Sequence, residues 1–166
     1  LRARAAPDPT TPAPAAPSAA PATTTSPTAT AGDTDIEAEA FVADAIRGDA
    51  VVMFALEWCE FCWAVRKLFA RLGIEYRSVD IDAASMQSDD LGVRVRSVLR
   101  RVTGAPTIPQ IFIGGRAVGG CTDLFDAMRA GLLSEWLDAA GVACDRSAAF
   151  DPYELLPKWL HPRKAA

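Results

Sequence analysis

The chain has 166 residues, of which 50% are hydrophobic and 23% charged, and its formal net charge is −4. That length is enough for one small domain with a hydrophobic core. The acidic balance and the lack of a basic patch argue against a nucleic-acid partner, and no stretch is long and apolar enough to span a membrane.

Residues 1–34 are predicted to form a disordered linker rich in proline, alanine and threonine. They contain seven of the twelve prolines of the chain and one large apolar side chain, Leu1. Such a segment cannot bury enough apolar surface to offset the entropy that it would lose on ordering. The linker and the start at Leu1 rather than methionine suggest that another domain precedes this sequence.

Residues 35–141 are predicted to form one α/β domain, followed by a C-terminal extension over 142–166. Hydrophobic periodicity and turn residues predict its elements in chain order. The first half has a helix over 36–47 capped by Asp33 or Thr34, a strand over 51–56, a helix from Cys59 to Gly73 and a strand over 74–82. A helix over 91–103, capped within 88–90, follows. The last elements are strands over 107–113 and 116–118 and helices over 122–130 and 132–140. The order predicts a parallel βαβ pair of strands and an antiparallel hairpin.

Two cysteines, Cys59 and Cys62, lie where the first strand gives way to the following helix. The N–H groups and dipole of a helix N-terminus favour a thiolate at Cys59, and the second thiol can resolve a mixed disulfide. This placement predicts thiol–disulfide exchange. Inert core cysteines are one alternative, and structural zinc is another. Zinc needs further ligands, and the remaining candidates, Cys121, Cys144 and His161, are not paired at short range.

Pro109 lies inside the apolar run 107–113, although proline lacks the N–H that a central strand donates. An edge strand is one explanation. The other is a cis-proline at the entrance of the strand, which would expose the backbone of Ile108 for pairing with a peptide-like ligand.

Over about residues 49–141 the chain resembles the glutaredoxins, the glutathione-dependent members of the thioredoxin fold. Three motifs carry the resemblance: Cys59-Glu60-Phe61-Cys62, Thr107-Ile108-Pro109-Gln110-Ile111-Phe112 and Gly119-Gly120-Cys121-Thr122-Asp123. The resemblance implies a thioredoxin-like three-layer sandwich with a four-stranded mixed sheet. It also implies that Cys59 is the nucleophile and Cys62 the resolving thiol.

The resemblance further implies a binding site for glutathione. The backbone of Ile108 beside a cis-Pro109 would pair with the cysteinyl part of glutathione, and a helix N-terminus would receive the γ-glutamyl end, as suits an anion. The implied binding residues are Phe61, Thr107, Ile108, Pro109, Gly120, Cys121, Thr122 and Asp123.

The chain departs from the family pattern around the nucleophile. Leu56 stands where glutaredoxins usually have lysine, and Glu60 stands where they usually have proline. Glu57 and Glu60 are expected to oppose the Cys59 thiolate and to repel anionic glutathione. Residues 105–110 look more like the monothiol branch of the family. Candidate replacements for the missing lysine are Arg66, Lys67, Arg100 and Arg101.

The expected function is a cytoplasmic, glutathione-dependent thiol–disulfide oxidoreductase that reduces protein disulfides and removes glutathione from proteins. Its partners would be glutathione, glutathionylated or disulfide-bearing proteins, and a fused or upstream enzyme domain. One alternative is a [2Fe–2S] module, in which Cys59 and glutathione from each of two protomers hold the cluster. Another is a redox-regulatory domain of a fused enzyme. No protein-bound metal is expected at the site.

The extension over 142–166 lies outside the resembling region, and its aromatic residues are expected to dock on the domain or to form a partner surface. Together, module and extension look similar to the glutaredoxin extension of some pyridoxal-phosphate-dependent cysteine synthase proteins. His161, near the terminus, is predicted to be a surface residue.

Overall fold

The structure, a computed structural model, describes residues 31–160. Most of the predicted linker, residues 1–30, and His161 lie outside this range. The four strands are β1 (Val51–Ala55), β2 (Arg77–Asp80), β3 (Gln110–Ile113) and β4 (Arg116–Gly119). The five α-helices of the described chain are α1 (Ala31–Gly48), α2 (Glu60–Leu72), α3 (Leu91–Thr103), α4 (Cys121–Arg129) and α5 (Leu132–Ala139).

The strands form one mixed sheet in the order β2-β1-β3-β4. Strands β1 and β2 are parallel, with Phe54 opposite Val79, while β3 runs antiparallel to β1, with Ile111 opposite Met53. Strands β3 and β4 form the antiparallel hairpin. Helices cover both faces of the sheet, so the predicted three-layer sandwich and its four-stranded mixed sheet are confirmed.

Alternate side chains of β1 serve two hydrophobic cores, as the two-residue period of a strand requires. Val51, Met53 and Ala55 join the first core, under α2, α4 and α5. Val52 and Phe54 join the second core, under α1 and α3. Both faces of β1 are therefore buried, which explains why its sequence is continuously apolar.

Helix α1 attaches to the second core through apolar side chains, among them the partly buried Phe41 and Ile46, and to α3 through two ion pairs. Ala38, Val42 and Ala45 are its buried residues. On its outer side Glu37 pairs with Arg94 at 3.1 Å and Glu39 pairs with Arg101, so both pairs join α1 to α3.

Several predicted boundaries are wrong. Helix α1 begins at Ala31, before the predicted start at Ile36, so Asp33 and Thr34 lie within the helix rather than at its N-cap position. Strand β2 starts only at Arg77, because the Ile74 N–H bonds the Phe69 carbonyl at the end of α2. Asp90 precedes α3 in a left-handed conformation, and its side chain makes no capping hydrogen bond.

The C-terminal segment packs on the first core. The Asp145 N–H donates to the Leu72 carbonyl at 2.7 Å, and Leu156 is buried. The Tyr153 ring lies edge-on to Phe125 at 5.4 Å, and its hydroxyl donates to Asp126 at 2.8 Å. In contrast, Trp159 is 70% exposed. Tyr153 thus docks on the domain, which is one of the two arrangements expected for the aromatic residues of this segment. None of the helices within residues 31–160 is long and apolar enough to cross a membrane.

Candidate active site

The Cys59 sulfur lies at the N-terminus of α2. Cys59 is the N-cap residue in an extended conformation, and its Sγ accepts a hydrogen bond from the Cys62 N–H at 3.4 Å. The Cys59 carbonyl accepts the Trp63 N–H at 2.9 Å, which closes the first turn of the helix. The side chain is half-buried and the thiol is free. The sulfur therefore lies at the N-terminus of α2, beside a backbone N–H of its first turn, and remains accessible.

Cys62 has the opposite environment, one turn further along α2. Its side chain is fully buried, and its Sγ accepts the Leu56 N–H at 3.5 Å. Burial, together with the adjacent Cys59, raises the pKa of the Cys62 thiol to about 12, although the hydrogen bond from the Leu56 N–H opposes this rise. Cys62 is therefore a protonated thiol at neutral pH, so the two cysteines of the motif are chemically distinct.

Two side chains bind the backbone of Glu57, in the loop before Cys59, through hydrogen bonds. The Glu57 N–H donates to both carboxylate oxygens of Asp82, at 2.9 and 3.1 Å. The indole N–H of Trp63 donates to the Glu57 carbonyl at 2.8 Å. These bonds fix the backbone that carries Trp58 and Cys59. Neither Asp82 nor Trp63 stands out in the sequence as a site residue.

The loop before β3 approaches the nucleophile. The Ile108–Pro109 peptide is cis, which confirms the prediction for Pro109. The Ile108 carbonyl lies 3.9 Å from the Cys59 sulfur. Because β3 begins at Gln110 and lies between β1 and β4, Pro109 is at the entrance of a central strand, and the edge-strand alternative is wrong.

Gln110 supports this loop from inside the protein. Its side chain is buried, and its amide nitrogen donates to the carbonyls of Ala105 and Thr107 at 2.8 and 3.1 Å. Its amide oxygen accepts the Thr103 hydroxyl at 3.0 Å. Every polar atom of this buried amide therefore has a partner, as burial requires. The sequence signal for this role is a single glutamine within an apolar strand.

The turn from β4 into α4 forms the third part of the site. The Gly120 N–H donates to the Asp123 carboxylate at 2.7 Å, which caps α4. Gly119 has a φ of +119°, and a Cβ there would collide with the Asp123 carboxylate. Cys121, the first residue of α4, is buried, and burial together with the charge of Cys59 raises the pKa of its thiol to about 12.

Several residues that the resemblance implied come together in one cavity. The cavity measures about 300 Å³, and Thr107, Pro109, Gly120 and Asp123 are among its lining residues. Cys121 and Thr122 follow Gly120 at the start of α4. Cys59, Ile108 and Phe61 are not among its lining residues, and Phe61 is 36% exposed on the first turn of α2.

A second cleft, of about 440 Å³, opens beside Leu56. Arg96 of α3 lines it together with the acidic Asp82 and Asp90, and none of the four expected replacement cations does. Arg66 instead pairs with Asp80, and Arg101 pairs with Glu39. Sequence reasoning missed Arg96 because nothing in α3 distinguishes it from the other arginines of that helix.

Comparison with known proteins gives a consistent family match. The glutaredoxin family model matches residues 51–118. The chain is 35% identical to a glutaredoxin from Ricinus communis over 98 residues, which are 59% of this chain and 91% of the relative. It is 32% identical over 109 residues to monothiol glutaredoxin-S10 from Oryza sativa subsp. japonica, covering 66% of this chain.

The chain is also 34% identical to the chloroplastic glutaredoxin-C5 from Arabidopsis thaliana. It spans 64% of the length of glutaredoxin-S10 and 56% of the length of glutaredoxin-C5, which is less than two thirds of each relative. Among solved structures, the buckwheat glutaredoxin–glutathione complex is similar with a TM-score of 0.62 and 29% identity. That alignment covers 67% of this chain and 96% of the buckwheat protein.

Proposed function

Since this chain belongs to the glutaredoxin family, a family of thiol–disulfide oxidoreductases, we propose that it removes glutathione from proteins and reduces their disulfides with Cys59 as nucleophile. The observation that carries the proposal is the contrast between the two thiols of the motif. Cys59 is partly accessible at a helix N-terminus, whereas Cys62 is buried. Only an accessible thiolate can attack a disulfide in another protein.

In the first step the Cys59 thiolate attacks the glutathione sulfur of a protein–glutathione mixed disulfide. The bond between Cys59 and glutathione forms while the original S–S bond breaks, and the protein leaves as a thiolate that takes a proton from water. A second glutathione thiolate then attacks the Cys59–glutathione disulfide. This releases oxidised glutathione and restores the Cys59 thiolate.

Cys62 offers a second route for resolution, in which it displaces glutathione and forms a Cys59–Cys62 disulfide. The Cys62 N–H already contacts the Cys59 sulfur at 3.4 Å. However, the pKa of the Cys62 thiol is raised to about 12, so its thiolate is scarce at neutral pH. We therefore propose that glutathione resolves most turnovers and that the dithiol route is the slower one.

Glutathione would lie across the cavity between the cis-proline loop and α4. The backbone of Ile108 would pair with the cysteinyl unit of glutathione, and the N-terminus of α4 would receive the γ-glutamyl carboxylate. Arg96, in the cleft beside Leu56, would face the glycyl carboxylate. Because Asp82 and Asp90 line the same cleft, glutathione binding is expected to be weak.

The proposal is tested by turnover of a glutathionylated protein in the presence of glutathione and glutathione reductase. Wild-type protein is expected to turn over, and Cys59→Ser is expected to reduce the rate to that of the uncatalysed exchange. Activity that survives in Cys59→Ser would contradict the assignment of the nucleophile.

The cluster-binding alternative is distinguished by the absorbance of protein purified without oxygen. Among the three thiols of the site, only Cys59 is accessible, since Cys62 and Cys121 are buried. A [2Fe–2S] cluster would therefore need glutathione and a second protomer for its other ligands. A coloured dimer would favour this alternative. The cytoplasmic location and the fused enzyme domain stay predictions.

A further inference from the structure

Three side chains beside the nucleophile, Glu57, Trp58 and Glu60, form what we term the active-site rim. The Trp58 indole is 88% exposed, although it directly precedes Cys59. Phe61 and Trp63, also in this segment, are 36% and 51% exposed. Apolar side chains grouped on a surface are typical of interaction sites. An indole as exposed as that of Trp58 contributes little to the core, so folding alone does not account for it.

The backbone of the rim is ordered before any partner arrives. Asp82 accepts the Glu57 N–H, and the Trp63 indole donates to the Glu57 carbonyl at 2.8 Å. Trp58 and Cys59 follow directly in the chain, and α2 begins at Glu60. Binding therefore costs little ordering of this segment, which favours its use as a recognition surface.

The negative charge of the active-site rim indicates that its partner carries positive charge. Glu57 and Glu60 are both exposed, and they flank Trp58 and Cys59 in the chain. An exposed indole face attracts Lys and Arg side chains through its π electrons, and the carboxylates attract the same groups. Of the nearby cations, Arg66 is paired with Asp80, and Arg96 shares its cleft with acidic residues.

We propose that the active-site rim selects protein disulfides whose reacting cysteine is flanked by lysine or arginine. The proposal rests on the proposed function and names its class of protein substrate. A flanking cation would contact the Trp58 ring and one rim carboxylate while the substrate disulfide meets Cys59. The same cation would offset the repulsion between the rim and the carboxylates of the glutathione that the substrate carries.

The test compares two glutathionylated nonapeptides that differ only in the residues beside cysteine, lysine in one and glutamate in the other. At low ionic strength, kcat/KM is expected to be about tenfold higher for the lysine peptide. The double variant Glu57→Gln, Glu60→Gln is expected to lower this ratio several-fold, and Trp58→Ala to lower the value for the lysine peptide while it leaves the value for the glutamate peptide unchanged. Glu75→Gln, an exposed charge before β2 at the other end of the sheet, serves as the matched control and should keep the full ratio.

Equal kcat/KM for the two peptides, or a ratio that the rim substitutions leave unchanged, would overturn the proposal. Two further measurements separate its failure from that of the proposed function. Turnover of the small mixed disulfide of glutathione and 2-mercaptoethanol, which carries no peptide beside the disulfide, reports on the proposed function alone. Binding of both peptides to Cys59→Ser, followed by tryptophan fluorescence, reports on selection alone, and equal affinities would also contradict the proposal.

Discussion

The carboxylate of Asp82 accepts the backbone N–H of Glu57 through both of its oxygens, across 25 positions of sequence. This contact ties the segment after β2 to the loop that carries the nucleophile. Charge-assisted bonds of this kind are stronger than neutral ones, so the position of Cys59 depends on a residue outside its own motif.

Removal of this contact is expected to impair turnover more than folding. Asp82→Ala leaves the Glu57 N–H without its acceptor and should lower kcat for a glutathionylated protein about tenfold, while the loss of its charge from the cleft favours glutathione binding. Asp82→Asn keeps a carbonyl acceptor without the charge and should retain most of the activity. The measurement is steady-state turnover at saturating glutathione. Equal loss in the two variants would show that the charge of Asp82, rather than its hydrogen bonds, matters.

Cys62→Ser is expected to keep most of the activity on glutathionylated substrates, because free glutathione can replace the resolving thiol. The same variant should lose activity on substrates with an intramolecular protein disulfide, whose mixed disulfide with Cys59 requires Cys62. Turnover on one substrate of each kind gives the comparison. A severe loss on both would mean that every turnover passes through the dithiol route.

Alkylation should distinguish the buried thiols from Cys59. Burial raises the pKa values of Cys62 and Cys121 to about 12, so both thiols stay protonated at about pH 8. The thiolate fraction of each becomes substantial only as the pH approaches 12. Iodoacetamide is therefore expected to modify Cys59 first and to spare these two until the protein unfolds. Peptide mass mapping after timed labelling measures this order. Rapid labelling of Cys62 in folded protein would contradict it.

Gln110 should matter for both stability and glutathione binding. Gln110→Leu removes both donors to the loop carbonyls of Ala105 and Thr107 and is expected to lower the free energy of unfolding by about 2 kcal/mol. Gln110→Glu keeps the shape but places a carboxylate against those carbonyls, so its loss should be larger. Denaturant unfolding and the glutathione KM are the measurements. A stable Gln110→Leu protein with an unchanged KM would rule out this supporting role.

A lysine at position 56 should strengthen glutathione binding. Leu56 is half-buried beside the cleft that contains Arg96, and a lysine stem can keep its packing while the ammonium group reaches the cleft. Leu56→Lys is expected to lower the glutathione KM about threefold, whereas Arg96→Gln should raise it. Leu56→Met, which adds no charge, is the matched control. No change in KM for Leu56→Lys would mean that glutathione does not enter this cleft.

The parts of the fold and site that depend on local pattern were predictable from the sequence. The apolar strand β1, the cap at Cys59 and the stop at Gly73 follow one another in the chain, so their spacing predicts the placement of the nucleophile. Helix α3 likewise has the predicted bounds, because its apolar face repeats regularly up to Gly104. The cis-proline was predicted because a proline within an apolar strand conflicts with the hydrogen-bond ladder.

The residues that sequence analysis missed act through distant contacts. Asp82 meets Glu57 only because β1 and β2 are parallel and end at the same edge of the sheet. Arg96 comes near Leu56 because α3 packs against the second core. The early start of α1 was missed for a different reason: residues 31–34 lack an apolar pattern, and α1 gains its stability from contacts with α3 further along.

Both helical layers are attached to the sheet by apolar packing, and the outer edge of α1 has ion pairs in addition. On the α2 and α4 face, the C-terminal segment adds Leu156 and the Tyr153 ring to the first core. On the other face, α1 contributes the partly buried Phe41 and Ile46 as well as smaller apolar side chains, and its outer edge is joined to α3 by two ion pairs. Dissolved salt screens exposed ion pairs, whereas only kosmotropic salts such as sulfate strengthen apolar burial. Rising ionic strength therefore weakens the two pairs between α1 and α3 and leaves the apolar contacts of α1 with the sheet in place, so salt acts on the edge of this helix before its body.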